Sequence, residues 1–183
     1  MKLLKYFLVL FISITITSCS DNSSEPPYTL SNTNIAGTYN IKSLSIDTKV
    51  TSSTIVAGVE VPFTVATSKS TGATFKVTFI LKSNGTYTIN GAYTITNTIT
   101  PAVGNPISSD DIIVFPDAGD SGTYNVNTAD NTITFTSASG DFLEGTLNVV
   151  AFNETTVSLS QELEEVEDAI TTKINANISF VRE

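Results

Sequence analysis

The chain has 183 residues, 9 Lys+Arg against 18 Asp+Glu, a formal charge of −9, and neither histidine nor tryptophan. Nucleic acids are held by clustered cations; here Lys42, Lys49, Lys69, Lys76, Lys82, Lys173 and Arg182 are dispersed among Thr, Ser and Asn, so no nucleic-acid partner is expected. Zero histidine removes Ser-His and Cys-His nucleophile pairs and zinc sites built from His and Cys, so the chain reads as a non-enzyme with no catalytic residues, no metal and no cofactor.

Lys2 and Lys5 precede an apolar run from Tyr6 to Ile16, the build of a secretory signal. The run is shorter than the roughly 20 residues needed to span a bilayer as a helix. It ends in Ile16-Thr17-Ser18-Cys19, which resembles the lipobox of bacterial lipoproteins. The resemblance implies cleavage before Cys19, lipid on its thiol, and a membrane as partner. Cys19 is the only cysteine, so an intramolecular disulfide has no second half, and lipidation accounts for a lone thiol in an exported protein. Loss of Lys2 and Lys5 with the signal takes the charge from −9 to −11.

The segment from Ser20 to Pro27 is small, polar and proline-bearing and cannot bury enough apolar area to order itself. It reads as a tether. It also resembles the acidic export tag of surface lipoproteins of Bacteroidetes, with Asp21 and Glu25 set apart where the tag clusters its acids. The division expected is therefore a signal peptide over 1–18, a lipidated cysteine and flexible tether over 19–34, and one folded domain over 35–183. The address implied is the outer membrane, exposed at the cell surface.

Alternation then dominates. Val59, Val61, Phe63 and Val65 form one apolar row; Phe75, Val77, Phe79 and Leu81 form a second; Ile174, Ala176, Ile178 and Phe180 form a third. Period-2 rows predict antiparallel strands with one face buried and one wet. Asn84-Gly85 predicts a hairpin, Asn90-Gly91 a further turn, and Asp130-Asn131 and Phe152-Asn153-Glu154 two more. Thr96 to Pro106 reads as a long loop at a barrel mouth. Asp110, Asp111, Asp117 and Asp120 read as a solvated acidic loop, their spacing unlike a calcium-binding EF-hand. Gln161 to Ala169, with Glu162, Glu164, Glu165, Glu167 and Asp168, reads as a loop or one short helix kept in water by its charge.

Gly37-Thr38-Tyr39, Gly85-Thr86-Tyr87 and Gly122-Thr123-Tyr124 repeat, and Gly91-Ala92-Tyr93 is a near copy. The repeat reads as strand starts in a curling sheet: glycine leaves the turn, and tyrosine puts its ring inside with the hydroxyl near the rim.

Ile35-Ala36-Gly37-Thr38-Tyr39, the stretch from Phe79 through Asn84-Gly85-Thr86-Tyr87, Gly122-Thr123-Tyr124 and the closing Ile178-Ser179-Phe180-Val181-Arg182-Glu183 together resemble the lipocalin-like lipoproteins of Bacteroidetes. The likeness covers Ile35 to the C-terminus. It departs at Tyr39, where lipocalins usually place a tryptophan closing one barrel end. It implies an all-β, up-and-down antiparallel barrel of about eight strands holding a small ligand in its mouth. Tyr39, Phe79, Tyr87, Tyr93 and Tyr124 are the candidate ligand-binding side chains. Two functions follow: a module binding a small apolar or amphipathic molecule, or a structural lipoprotein with a filled barrel that docks to an envelope partner the residues do not identify.

Overall fold

The computed structural model describes residues 28–138 and 142–183. The segment expected as signal peptide, Cys19 and the first part of the expected tether lie outside them. Eight strands follow one another around a ring: β1 (Gly37–Val56), β2 (Val59–Leu81), β3 (Thr86–Pro101), β4 (Ile107–Asn127), β5 (Thr132–Ser137), β6 (Gly145–Phe152), β7 (Thr156–Glu167) and β8 (Ile170–Arg182). One helical turn, α1 (Asn32–Ile35), precedes them, capped by Ser31, whose Oγ accepts from the Asn34 amide at 3.1 Å. Every strand pairs antiparallel with its sequence neighbour, and β8 returns to β1, so the sheet closes into a barrel. Closure leaves no free edge where all eight strands are present.

Register explains which residues fill the interior. Tyr39 lies opposite Phe79, and Phe79 opposite Ile89. Tyr124 lies opposite Phe135, Leu159 opposite Ile178, and Ile41 opposite Phe180. All point inward and are buried. Two of the three apolar rows, from Phe75 and from Ile174, therefore face the inside as their alternation predicts. The intervening positions present Asn40, Thr78, Thr88, Asn125, Thr134 and Asn148 to the outside. These six outward side chains are hydroxyl and amide.

The ring has unequal walls. β2 is 23 residues long, whereas β5 has 6 and β6 has 8. At the low end all eight strands meet. Above β5 and β6 only β4–β3–β2–β1–β8–β7 continue, as an open six-stranded sheet. There the flanks of β4 and β7 that would face β5 and β6 are unpaired among the described residues, since β4–β5 pairing spans Gly122 to Asn127 and β6–β7 pairing stops at Ser160.

Several expected boundaries move. Gln161–Ala169 is strand, not loop or helix, as far as Glu167: Leu163 pairs with Ile174 and Glu165 with Thr172, so a row of acids is carried on an extended edge. Thr96–Pro101 is the end of β3, leaving only 102–106 as turn. The segment of Asp110 to Asp120 is part of β4. Asn90-Gly91 is no hairpin. β3 runs through it, and Gly91, at φ 107°, marks a register shift where an added Cβ would strike the Lys76 carbonyl. Residues 28–34, expected as tether, join the fold: Tyr28 packs on Phe152 with ring centroids 4.9 Å apart, and Leu30 is buried.

Candidate functional site

The low end of the barrel is solid. Phe79 is its hub, stacked on Phe180 at 5.1 Å and set edge-on to Tyr87 at 5.6 Å, with Phe135 at 6.1 Å. Ile35 of α1 plugs the opening beneath. The space among Ile35, Tyr39, Phe79, Leu81, Phe135 and Phe180 admits no water-sized volume. Two hydroxyls of this end help to close it. Tyr124 donates to the Lys82 carbonyl at 2.7 Å, and Tyr39 donates to the Ile35 carbonyl at 2.7 Å. Burial pushes the Tyr124 phenol up to about 12, with the neighbouring Tyr39 adding to the effect. Burial also raises Tyr39, partly offset by the Arg182 hydrogen bond, and raises Tyr87, partly offset by Ser137.

Arg182 locks the plug. Its Nη2 donates to the Tyr39 hydroxyl at 2.7 Å and to the Asn34 carbonyl at 2.5 Å, while Nη1 reaches the Tyr28 hydroxyl at 3.3 Å. This one cation ties the last strand to the first strand, to α1 and to the entering chain. Among dispersed cations nothing in the sequence set it apart.

Of the five candidate ligand-binding residues, Tyr39, Phe79, Tyr87 and Tyr124 belong to this packed end. Tyr93 lies higher, away from them. It sits among Phe75 at 5.8 Å, Phe115 at 6.2 Å and Phe142 at 6.5 Å. Burial raises its phenol too. Beside this aromatic layer is a cavity of about 170 Å³, lined by Leu44, Ile46, Tyr93, Phe142, Leu143, Leu147, Ala176, Asn177 and Ile178. Gln161 and Glu144 supply its polar rim, Gln161 Nε2 donating to the Glu144 carbonyl at 3.2 Å. The sequence carried one sign of this space: Ala176 interrupts the bulky inward row of Ile174, Ile178 and Phe180.

The cavity opens into the trough formed by the six tall strands. Register turns Phe63, Ile99, Ile107, Leu163 and Ile170 toward its inside. With no opposite wall they stay exposed, Phe63 at 49%, Leu163 at 51% and Ile107 at 68%. The apolar row from Val59 is thus real but uncovered. The acids line the trough's flanks. Asp110 and Asp111 turn to opposite sides of β4, one accepting from Thr96 Oγ1 at 2.7 Å and the other from Asn97 Nδ2 at 3.2 Å. Among the described residues no three His, Cys, Asp or Glu converge to hold a metal ion.

The chain is thus a closed eight-stranded antiparallel β-barrel, sealed at one end and open at the other. No family model and no curated protein matches it. Two solved structures of Ail, the attachment invasion locus protein of Yersinia pestis, resemble it at TM-score 0.20, with 9% and 8% identity over 81% of this chain and 100% of theirs. One of the two is in complex with the heparin analogue sucrose octasulfate.

Proposed function

We propose that the protein is an envelope lipoprotein of lipocalin-like type, tethered through Cys19, that holds a small apolar or amphipathic molecule in the mouth of its barrel. The carrying observation is the pairing of a sealed low end with a largely apolar cavity of about 170 Å³ toward the mouth. A protein cavity of about 150 Å³ lined by Leu, Ile and Phe stays dry and accepts benzene. The present space suits a single ring or the end of an acyl chain, with a polar head at the rim beside Gln161 and Glu144.

Orientation supports this reading. The chain enters the fold at Tyr28, beside Arg182 and Phe152, at the sealed end. Eight residues lie between Cys19 and Tyr28, nine chain steps with a reach of about 30 Å at most. A lipid on Cys19 therefore keeps the plug toward the membrane and lets the mouth look outward.

Native mass spectrometry of the chain beginning at residue 19, with Cys19→Ala and purified without detergent, tests the proposal. A reproducible added mass, removed by organic extraction, supports it. A clean protein mass that persists after incubation with lipid and metabolite mixtures refutes it. That result would favour the second reading, a docking lipoprotein with a filled barrel, which the aromatic packing of the low end and the uncovered trough both suit.

A further inference from the structure

The outward side of the tall wall carries a second feature. Across β8, β1, β2 and β3 lies a polar groove of about 530 Å³, three times the mouth cavity. Register sets its side chains: Asp47 stands opposite Lys69 and Asn175, Lys49 opposite Thr67 and Lys173, and Lys69 opposite Thr98. Thr71 faces Thr96, and Thr67 faces Thr100, so hydroxyls flank the two lysines on both sides. Register shifts at Asn40/Ser45 and Val50/Thr51 bracket the groove on β1–β2, and another falls at Ala73/Lys76 on β2–β3. Bulges bend strands and increase local twist, which accounts for a depression on the outer side of a barrel wall.

Charge is unevenly distributed around the molecule. Five of the six described lysines, Lys42, Lys49, Lys69, Lys76 and Lys173, lie on β1, β2 and β8, and the sixth, Lys82, follows β2 at the low end. The acids gather on β4 and β7. Lys173 is paired with Glu164 at 3.1 Å, whereas Lys49 and Lys69 form no ion pair among the described residues. An excess-acid protein thus places two ammonium groups, without an ion pair among the described residues, in this groove.

From this we infer that the groove is a binding site for an anionic carbohydrate, separate from the mouth cavity. Two ammonium groups fix carboxylate or sulfate. The threonine hydroxyls and Asn175 both donate and accept, as a polyol requires, and Asp47 accepts from ligand hydroxyls. The groove has no aromatic or bulky aliphatic lining, which excludes the flat apolar ligands suited to the mouth. Its volume lies within the range of small-molecule sites and suits an oligosaccharide of a few units.

The test is calorimetric titration of the full chain in mild detergent with tetragalacturonate, a chondroitin sulfate tetrasaccharide and neutral maltotetraose. At least one acidic oligosaccharide should bind, more than tenfold tighter than maltotetraose. The double substitution Lys49→Gln with Lys69→Gln should weaken it more than tenfold, and Lys82→Gln, outside the groove, should leave it unchanged. Both lysines are exposed, so the fold survives, which a thermal melt verifies. The sugar that binds tells carboxylate from sulfate. Failure of both acidic sugars, equal binding of maltotetraose, or indifference to the double substitution would overturn the inference.

Discussion

Arg182 and Tyr39, 143 residues apart in sequence, are joined twice: the guanidinium donates to the phenol oxygen at 2.7 Å and its carbon lies 5.3 Å from the ring centroid. The contact closes the barrel where the first and last strands meet, Tyr39 lying opposite Arg182 in the β1–β8 register.

Tyr39→Phe should therefore destabilise the protein although it removes a single oxygen. The Ile35 carbonyl loses its donor and Arg182 loses an acceptor in a site nearly closed to water. A hydrogen bond to a charged group contributes about 1.5–3 kcal/mol. A loss in that range is expected by urea unfolding, and a midpoint unchanged from the parent would show that the clasp contributes nothing.

Gly122→Ala should be more damaging than its size suggests. Gly122 lies within β4, opposite Tyr87 on one side and Ser137 on the other. An added Cβ would meet the Thr136 carbonyl and sit 2.7 Å from Tyr87 Cε1. Overpacking of this kind costs about 1–3 kcal/mol, and the backbone partner cannot rotate away. A fall in melting temperature with the aromatic near-ultraviolet signal altered is expected; an unchanged melt would contradict the packing described.

Alkaline pH should unfold the barrel earlier than its surface charge alone requires. Burial raises the phenols of Tyr39, Tyr87, Tyr93 and Tyr124, the last to about 12. In the unfolded chain each ionises near 10. Between those values the folded state holds more protons, so stability falls as pH rises. The contribution is fully present below pH 10 and is lost by about pH 12. Unfolding free energy measured from pH 8 to 11.5 should be flat and then drop, and Tyr124→Phe should make the drop shallower. A constant stability across that window would contradict buried neutral phenols.

Cys19→Ala should release the protein from the membrane or stall its processing. Two acyl chains hold a protein where one does not, and no other anchor is expected. Membrane fractionation is the measurement, and unchanged membrane association would refute lipid attachment at Cys19.

The legible part of the fold was what local chemistry dictates. Phe75–Leu81 and Ile174–Phe180 alternate, and Asn84-Gly85 turns, because one buried face and one positive φ are enough to specify them; Gly85 sits at φ 81° with its amide donating to the Lys82 carbonyl. Gln161–Glu167 is not legible as strand because four acids in seven residues look like solvated loop. They are in fact tolerated on a strand with one unpaired flank, where charge also discourages pairing with other chains. The Gly-Thr-Tyr repeat marks strand starts at Gly37 and beside Gly85, but Gly122 lies inside β4, where glycine makes room for Tyr87. The functional space was least legible. It comes from Leu44, Phe142, Leu147 and Ala176 meeting across the barrel, and from strands of unequal length, neither of which leaves a local pattern.

The central claim is that the mouth cavity, and not the aromatic low end, receives the ligand. Ala176→Phe tests it most directly, since the new ring would fill the space beside Leu44 and Tyr93 while leaving the plug at Phe79 untouched. Titration of a fluorescent fatty acid into the parent and the variant should show saturable binding by the parent and at least a tenfold loss in the variant. Equal binding by both, with the variant folded, would contradict the account.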